Sequence, residues 1–199
     1  MTTGDEKRMS NTRTIARTVG TLMLAAFVLY FIGSSIATTA SPGGLLTAGV
    51  VLMVLNSVAV ITIGAVMLPV LRPHAPVIAA SYLATRIFEG GILAVGAVAL
   101  LAGMGGTNFL AYNIAMAGLG VGSLLFCIAL YRSRLVPRFL AVWGFIGYAL
   151  FAGGCFLELA GVVGASLVST VPGGLFELFF AIWLIVRGFG TTAAVTARA

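Results

Sequence analysis

Six long apolar runs occupy most of the sequence between Val19 and Gly188, and only nine charged residues fall within that stretch. An α-helix rises about 1.5 Å per residue, so about 20 apolar residues in succession cross the roughly 30 Å hydrocarbon core of a bilayer. The runs extend from Val19 to Thr39, Leu45 to Leu71, Pro76 to Leu101, Asn108 to Tyr131, Pro137 to Gly161 and Val168 to Gly188. Turn formers separate them: Ser41-Pro42-Gly43-Gly44, Arg72-Pro73-His74, Gly103 to Thr107, Ser133 to Pro137, and Gly164 to Ser166. Membrane barrels show alternating segments of about ten residues, and the sequence has none. The spacing predicts an all-α integral membrane protein, a single bundle of six transmembrane helices over residues 19–189. A basic leader of residues 1–18 precedes it and a short tail of residues 190–199 follows.

Charge points the same way by its scarcity. Only 8% of the 199 residues are charged, against about 25% in soluble domains, and 60% are hydrophobic. Such a chain cannot cover a water-facing surface, which excludes a soluble globular enzyme. A disordered tail would need the opposite composition. A net charge of +6 spread over loops makes no phosphate-tracking groove, so no nucleic-acid partner is expected.

The basic residues assign the sides of the membrane. With the N-terminus inside, Lys7, Arg8, Arg13 and Arg17 are cytoplasmic, as are Arg72, then Arg132, Arg134 and Arg138, and finally Arg187 and Arg198. The three outer loops hold none. A multi-pass protein of the plasma membrane with both termini cytoplasmic is expected. The basic leader and the small residues Ala37 to Ala40 resemble those of a secretory signal. An apolar stretch of about 20 residues exceeds the 7–15 of a signal peptide, however, so the first span is expected to remain.

Two cysteines and one histidine carry little chemistry. Cys127 lies about one turn from the cytoplasmic end of span four and Cys155 roughly 27 Å up span five. A disulfide tolerates no more than about 7 Å between Cα atoms, so both are expected as small buried fillers. His74 sits alone in a turn. No metal site, haem ligation or cysteine–histidine dyad is expected, and no cofactor.

Four ionisable residues are left inside the spans: Arg86, Glu89, Glu158 and Glu177. Near the bilayer centre an unpaired charge costs at least about 2–3 kcal/mol, so such groups face the bundle interior and mark a functional or packing site. Counted from the outer ends of their spans, Glu89 is roughly 18 Å deep and Arg86 one turn deeper. Glu177 is expected at roughly 8–14 Å, with its helix starting between Val168 and Pro172, and Glu158 at roughly 5–9 Å. On span three, Tyr82, Thr85, Arg86, Glu89 and Gly96 fall on one polar stripe. On span five, Gly144, Gly147, Phe151, Gly154, Glu158 and Gly161 share a stripe, as do Gly173, Gly174, Glu177 and Ala181 on span six. Small residues beside a carboxylate let backbones approach, and they also leave room for a ligand. Tyr30, Ser34, Asn56, Tyr112 and Asn113 lie at comparable depth. A cavity among these helices is expected, with Glu89 and Glu177 as candidate catalytic groups. Arg86, Glu158, Asn56, Asn113, Tyr82 and Tyr30 are its candidate binding residues.

A structural role competes with that reading. Arg86 and Glu89 are three residues apart and can pair along one helix. Gly118-Leu119-Gly120-Val121-Gly122 carries GxxxG spacing that suits close helix contact, and a homodimer through it is a further option without other support. Arg132-Ser133-Arg134 with Arg138 is a topology signal that can also hold anionic lipid headgroups. Trp143, Trp183 and Tyr131 fit interfacial or packing positions. Phe88-Glu89 and Phe176-Glu177 occupy corresponding places in a three-plus-three division, the pattern of inverted-repeat transporters, but two dipeptides are a thin match.

The stretch Tyr131-Arg132-Ser133-Arg134-Leu135-Val136-Pro137-Arg138-Phe139-Leu140, running into Trp143-Gly144-Phe145-Ile146-Gly147-Tyr148, resembles the loop between spans four and five of a bacterial membrane family, domain of unknown function 4386. Arg86-Ile87-Phe88-Glu89, Pro172-Gly173-Gly174-Leu175-Phe176-Glu177-Leu178 and Trp183-Leu184-Ile185-Val186-Arg187-Gly188-Phe189 are similar to that family too. The resemblance extends from about Arg17 to Phe189. It implies a six-span helical fold and no assigned activity, and the first outer loop is short for it.

Three functions stay open. The first is binding, and in an enzyme conversion, of a lipophilic small molecule. There one protonated and one ionised glutamate would act as acid and base, with Arg86 tuning Glu89. Membrane terpenoid cyclases offer an analogy of chemistry, not of sequence. The second is a proton-linked transporter, and the third a non-catalytic module that packs against lipid or a partner helix. Membrane lipids are expected partners in every case.

Overall fold

The computed structural model describes residues 3–190, with side chains from residue 12 onward. Among these residues there is no strand, and six helices are long and apolar enough to cross a membrane. They are α1 (Thr3–Thr39), α2 (Gly44–Leu71), α3 (Pro76–Leu101), α4 (Gly105–Ser133), α5 (Arg138–Leu159) and α6 (Ala165–Val186). The spans read from the sequence match within three residues at every end but one. That end is the start of α1, because no glycine or proline interrupts residues 5–19 and the leader continues into the first span as helix. The side chains of Asp5, Glu6, Lys7 and Arg8, and Arg198 in the tail, lie outside the described residues.

Each helix packs on the next in sequence, and α6 returns to α1, so the six form a closed ring. The ring places α3 opposite α6 and α1 opposite α4. Glycines let the backbones approach at every seam. A Cβ on Gly49 of α2 would lie 2.8 Å from Ala37 N of α1, and one on Gly120 of α4 would lie 2.9 Å from Tyr148 O of α5. Gly147 of α5 meets Gly173 of α6, and Gly20 of α1 meets the Ala181 carbonyl of α6. The GxxxG pair is used inside the chain, since Gly118 seats the Phe88 ring and Gly122 seats Thr85, both of α3. Cys127 and Cys155 are buried free thiols.

The half of the ring nearer the termini is filled by aromatic side chains. Tyr82 stacks on Phe126 at 4.3 Å, Phe126 meets Phe180 edge-on, and Phe176 stacks on Phe180 at 5.5 Å. Trp143 and Tyr148 pack edge-on to Phe176. Such rings carry large buried areas, so this layer is a solid floor.

The start of α6 differs from expectation in a way that matters for depth. Pro172 lies within the helix instead of opening it, and α6 begins seven residues earlier at Ala165. Gly164, with φ 84°, makes the turn that glycine allows. The Glu158 carboxylate accepts hydrogen bonds from Gly164 N at 3.1 Å, Ser166 N at 3.0 Å and Ser166 Oγ at 3.2 Å. An acid on the unsatisfied N–H groups of a helix start stabilises it. Glu177 is therefore about 18 Å from the start of α6, level with Glu89.

Two outcomes follow. Gly120→Leu drives a side chain into the α5 backbone and lowers stability by about 1–3 kcal/mol, whereas Gly91→Leu, which faces open space, leaves the thermal midpoint within about 2 °C. Thermal unfolding in detergent measures both, and equal shifts would refute the ring packing. For orientation, a chain with both cysteines replaced and Val163→Cys reacts with a membrane-impermeant maleimide in intact spheroplasts. Ser133→Cys reacts only after lysis, and the reverse pattern would invert the charge-based topology.

Candidate functional site

Above the aromatic floor, in the half of the ring remote from the termini, the helices enclose a cavity of about 500 Å³ lined by all six. That size is within the range of small-molecule sites, about 300–1,000 Å³. Its wall is chiefly apolar, with Met23, Val60, Leu93, Met116, Leu119 and Phe151 contributing.

Polar groups concentrate at the base. Arg86 is buried, and its guanidinium makes two hydrogen bonds and one longer ion contact. Nη1 donates to Glu89 Oε2 at 2.9 Å and Nε to the Tyr82 hydroxyl at 3.0 Å. Nη2 lies 3.8 Å from Glu177 Oε1, which also accepts a 2.6 Å hydrogen bond from the Tyr148 hydroxyl. The sequence makes this possible locally, since Tyr82, Arg86 and Glu89 are one helical turn apart and the Arg86 stem lies where Gly64 of α2 has no side chain. Glu177 comes from the opposite helix. The cluster thus joins α3 to α6 across the lumen, with Tyr148 of α5 as a third support. Higher up, Tyr30 of α1 and Tyr112 of α4 stack across the lumen with centroids 5.7 Å apart.

The ring is least tightly packed between α1 and α6. These helices touch near the termini, at Gly20 and Ala181, whereas farther along Phe31 and Ser34 face Leu167, Thr170 and Gly174 across the cavity mouth. Phe31 is 73% and Leu167 75% exposed, so the mouth opens sideways, toward the apolar surface that a bilayer covers.

The structure brings together Arg86, Glu89, Glu177 and Tyr82, and places Tyr30 and Asn56 on the cavity wall. It does not bring in two others. Glu158 is occupied in capping α6, and Asn113 is buried within α4 packing, its Nδ2 donating to Phe109 O at 3.0 Å. The sequence reading missed Tyr148. It follows the α5 glycine stripe by one residue, about 100° round the helix, and only the arrival of Glu177 from α6 gives its hydroxyl a partner. The two Phe-Glu pairs meet at one arginine, yet Phe88 lies outside over Gly118 while Phe176 is buried in the floor, so their surroundings are unlike.

No curated protein and no solved structure matches the chain. One family model does, that described as Domain of unknown function (DUF4386), over residues 106–188. The matched stretch holds nearly all of α4, α5 and α6, with Tyr112, Tyr148 and Glu177, and leaves out Tyr30, Arg86 and Glu89. The chain is a multi-pass helical membrane protein similar, across its second three helices, to the family of domain of unknown function 4386.

Proposed function

We propose that this membrane protein binds a lipophilic small molecule in the cavity over Arg86, with its termini in the cytoplasm of the cell and the cavity in the outer leaflet. The observation that carries the reading is the combination at one place of an apolar chamber, a lateral mouth and a buried ion cluster at its base. Apolar replacement of a buried ion pair is often neutral or stabilising, so an ion cluster kept beside open volume argues for a role beyond packing. Here the carboxylates face open volume. Glu89 and Glu177, held about one arginine apart, also suit acid and base roles toward a bound molecule, with Arg86 setting the charge at Glu89.

The test is retention. Protein purified in nanodiscs and analysed by mass spectrometry carries a small molecule enriched over bulk lipid. Gly174→Phe, whose Cβ has only Thr170 Cγ2 nearby at 3.9 Å, fills the mouth and loses at least about nine-tenths of it. Glu158→Ala weakens the α6 cap by about 1 kcal/mol and leaves retention unchanged. No enriched molecule, or equal retention by Gly174→Phe, refutes the site. If the bound molecule is converted, Glu89→Gln or Glu177→Gln slows turnover by about 10²-fold or more in folded protein, and unchanged turnover removes the acid–base assignment.

A further inference from the structure

The charge of the cavity identifies its ligand class more narrowly. One guanidinium faces two carboxylates, and no second cation lines the chamber among the described residues. Tyr30, Tyr112 and Tyr148, the phenols on the wall, bring no charge. The Tyr148 hydroxyl donates to Glu177 Oε1 at 2.6 Å. Arg86 bonds closely to Glu89 at 2.9 Å and stands 3.8 Å from Glu177. Glu177 is also the more open of the two, with 17% of its side chain exposed against 5% for Glu89. Among the described residues no donor reaches its Oε2. The base of the cavity therefore sets two carboxylates against one guanidinium, and the carboxylate that Arg86 answers least is Glu177.

Above Glu177 the wall holds few polar groups. Three tyrosines line the chamber, Tyr30 and Tyr112 stacked on each other across it and Tyr148 bonded to Glu177. The remaining wall and the mouth between Phe31 and Leu167 are apolar and give onto lipid.

Resting on the ligand-binding reading above, we infer that the cavity takes a monocationic amphiphile. Its amine or quaternary ammonium head meets Glu177 beneath the tyrosines, and its apolar tail runs out between α1 and α6 into the surrounding leaflet. A carboxylate or phosphate head is disfavoured because it would bring a further acid to a site whose single guanidinium already faces two.

Four probes of one chain length test this: dodecylamine, dodecyltrimethylammonium, dodecanol and dodecanoate. Each is titrated into the intact protein in zwitterionic nanodiscs, with empty nanodiscs as the blank. Either cation is expected to bind about tenfold or more tighter than dodecanoate and to be preferred over dodecanol. Glu177→Gln or Glu89→Gln leaves one carboxylate for one guanidinium, and either variant brings the cation-to-alcohol ratio to within about twofold. Glu158→Gln, outside the cavity, keeps the wild-type ratio. Dodecanoate or dodecanol binding as well as the cations to the wild-type protein overturns the inference, with no variant needed. So does a preference that survives in both folded glutamine variants. If the wild-type protein retains an enriched molecule that Gly174→Phe loses, and that molecule is neutral or anionic, the binding site stands and the cationic class falls. If nothing is retained and no probe binds, both fall.

Discussion

A guanidinium buried in an apolar bundle must be answered by carboxylates, and in this protein the answer comes from two directions. Glu89 is supplied by the same helix one turn away, and Glu177 by the helix opposite in the ring. Neighbouring helices in a membrane gain from close packing. Opposite ones have no such contact, so a polar link across the lumen sets their separation. The Arg86–Glu177 link and the Tyr30–Tyr112 stack both do this, at two heights, and the chamber lies between and around them. The cavity is thus a product of the same groups that keep the ring open.

The two ends of the ring are built from different chemistry. Toward the termini, Tyr82, Phe126, Phe176 and Phe180 fill the centre with interlocking rings, and α1 and α6 close on each other at Gly20. Away from them, smaller or more widely set side chains leave volume, and α1 and α6 part. Arg86 sits where one regime gives way to the other, bonded downward to the Tyr82 hydroxyl and sideways to the carboxylates. A polar base over a dense floor offers access from one side only.

Glu158 shows how a depth argument and a chemical one separate. By type and approximate level it belongs with the other two glutamates. Its carboxylate is nevertheless spent on the N–H groups of Gly164 and Ser166 at the start of α6, outside the cavity. Asn113 likewise has a cavity residue's polarity and depth but is buried away from the chamber, its Nδ2 bonded to Phe109 O one turn back.

The fold was legible in the sequence because the bilayer imposes it. Length of apolar run, absence of charge and placement of turn formers are local properties, and they locate six helices with little dependence on how those helices meet. Helical spacing within one span likewise put Tyr82, Arg86 and Glu89 on a single stripe. What required the tertiary structure was every relation between spans. That α6 stands opposite α3 brings Glu177 to Arg86. That Tyr148 faces Glu177, that the glycines of α4 seat residues of α3 and that α1 and α6 diverge are likewise consequences of ring order and helix rotation. Hydropathy carries little record of either, because helix faces that meet lipid are as apolar as those that meet one another. Composition determined a membrane bundle with a few costly charges, and packing decided that three of them share one chamber while the fourth caps a helix.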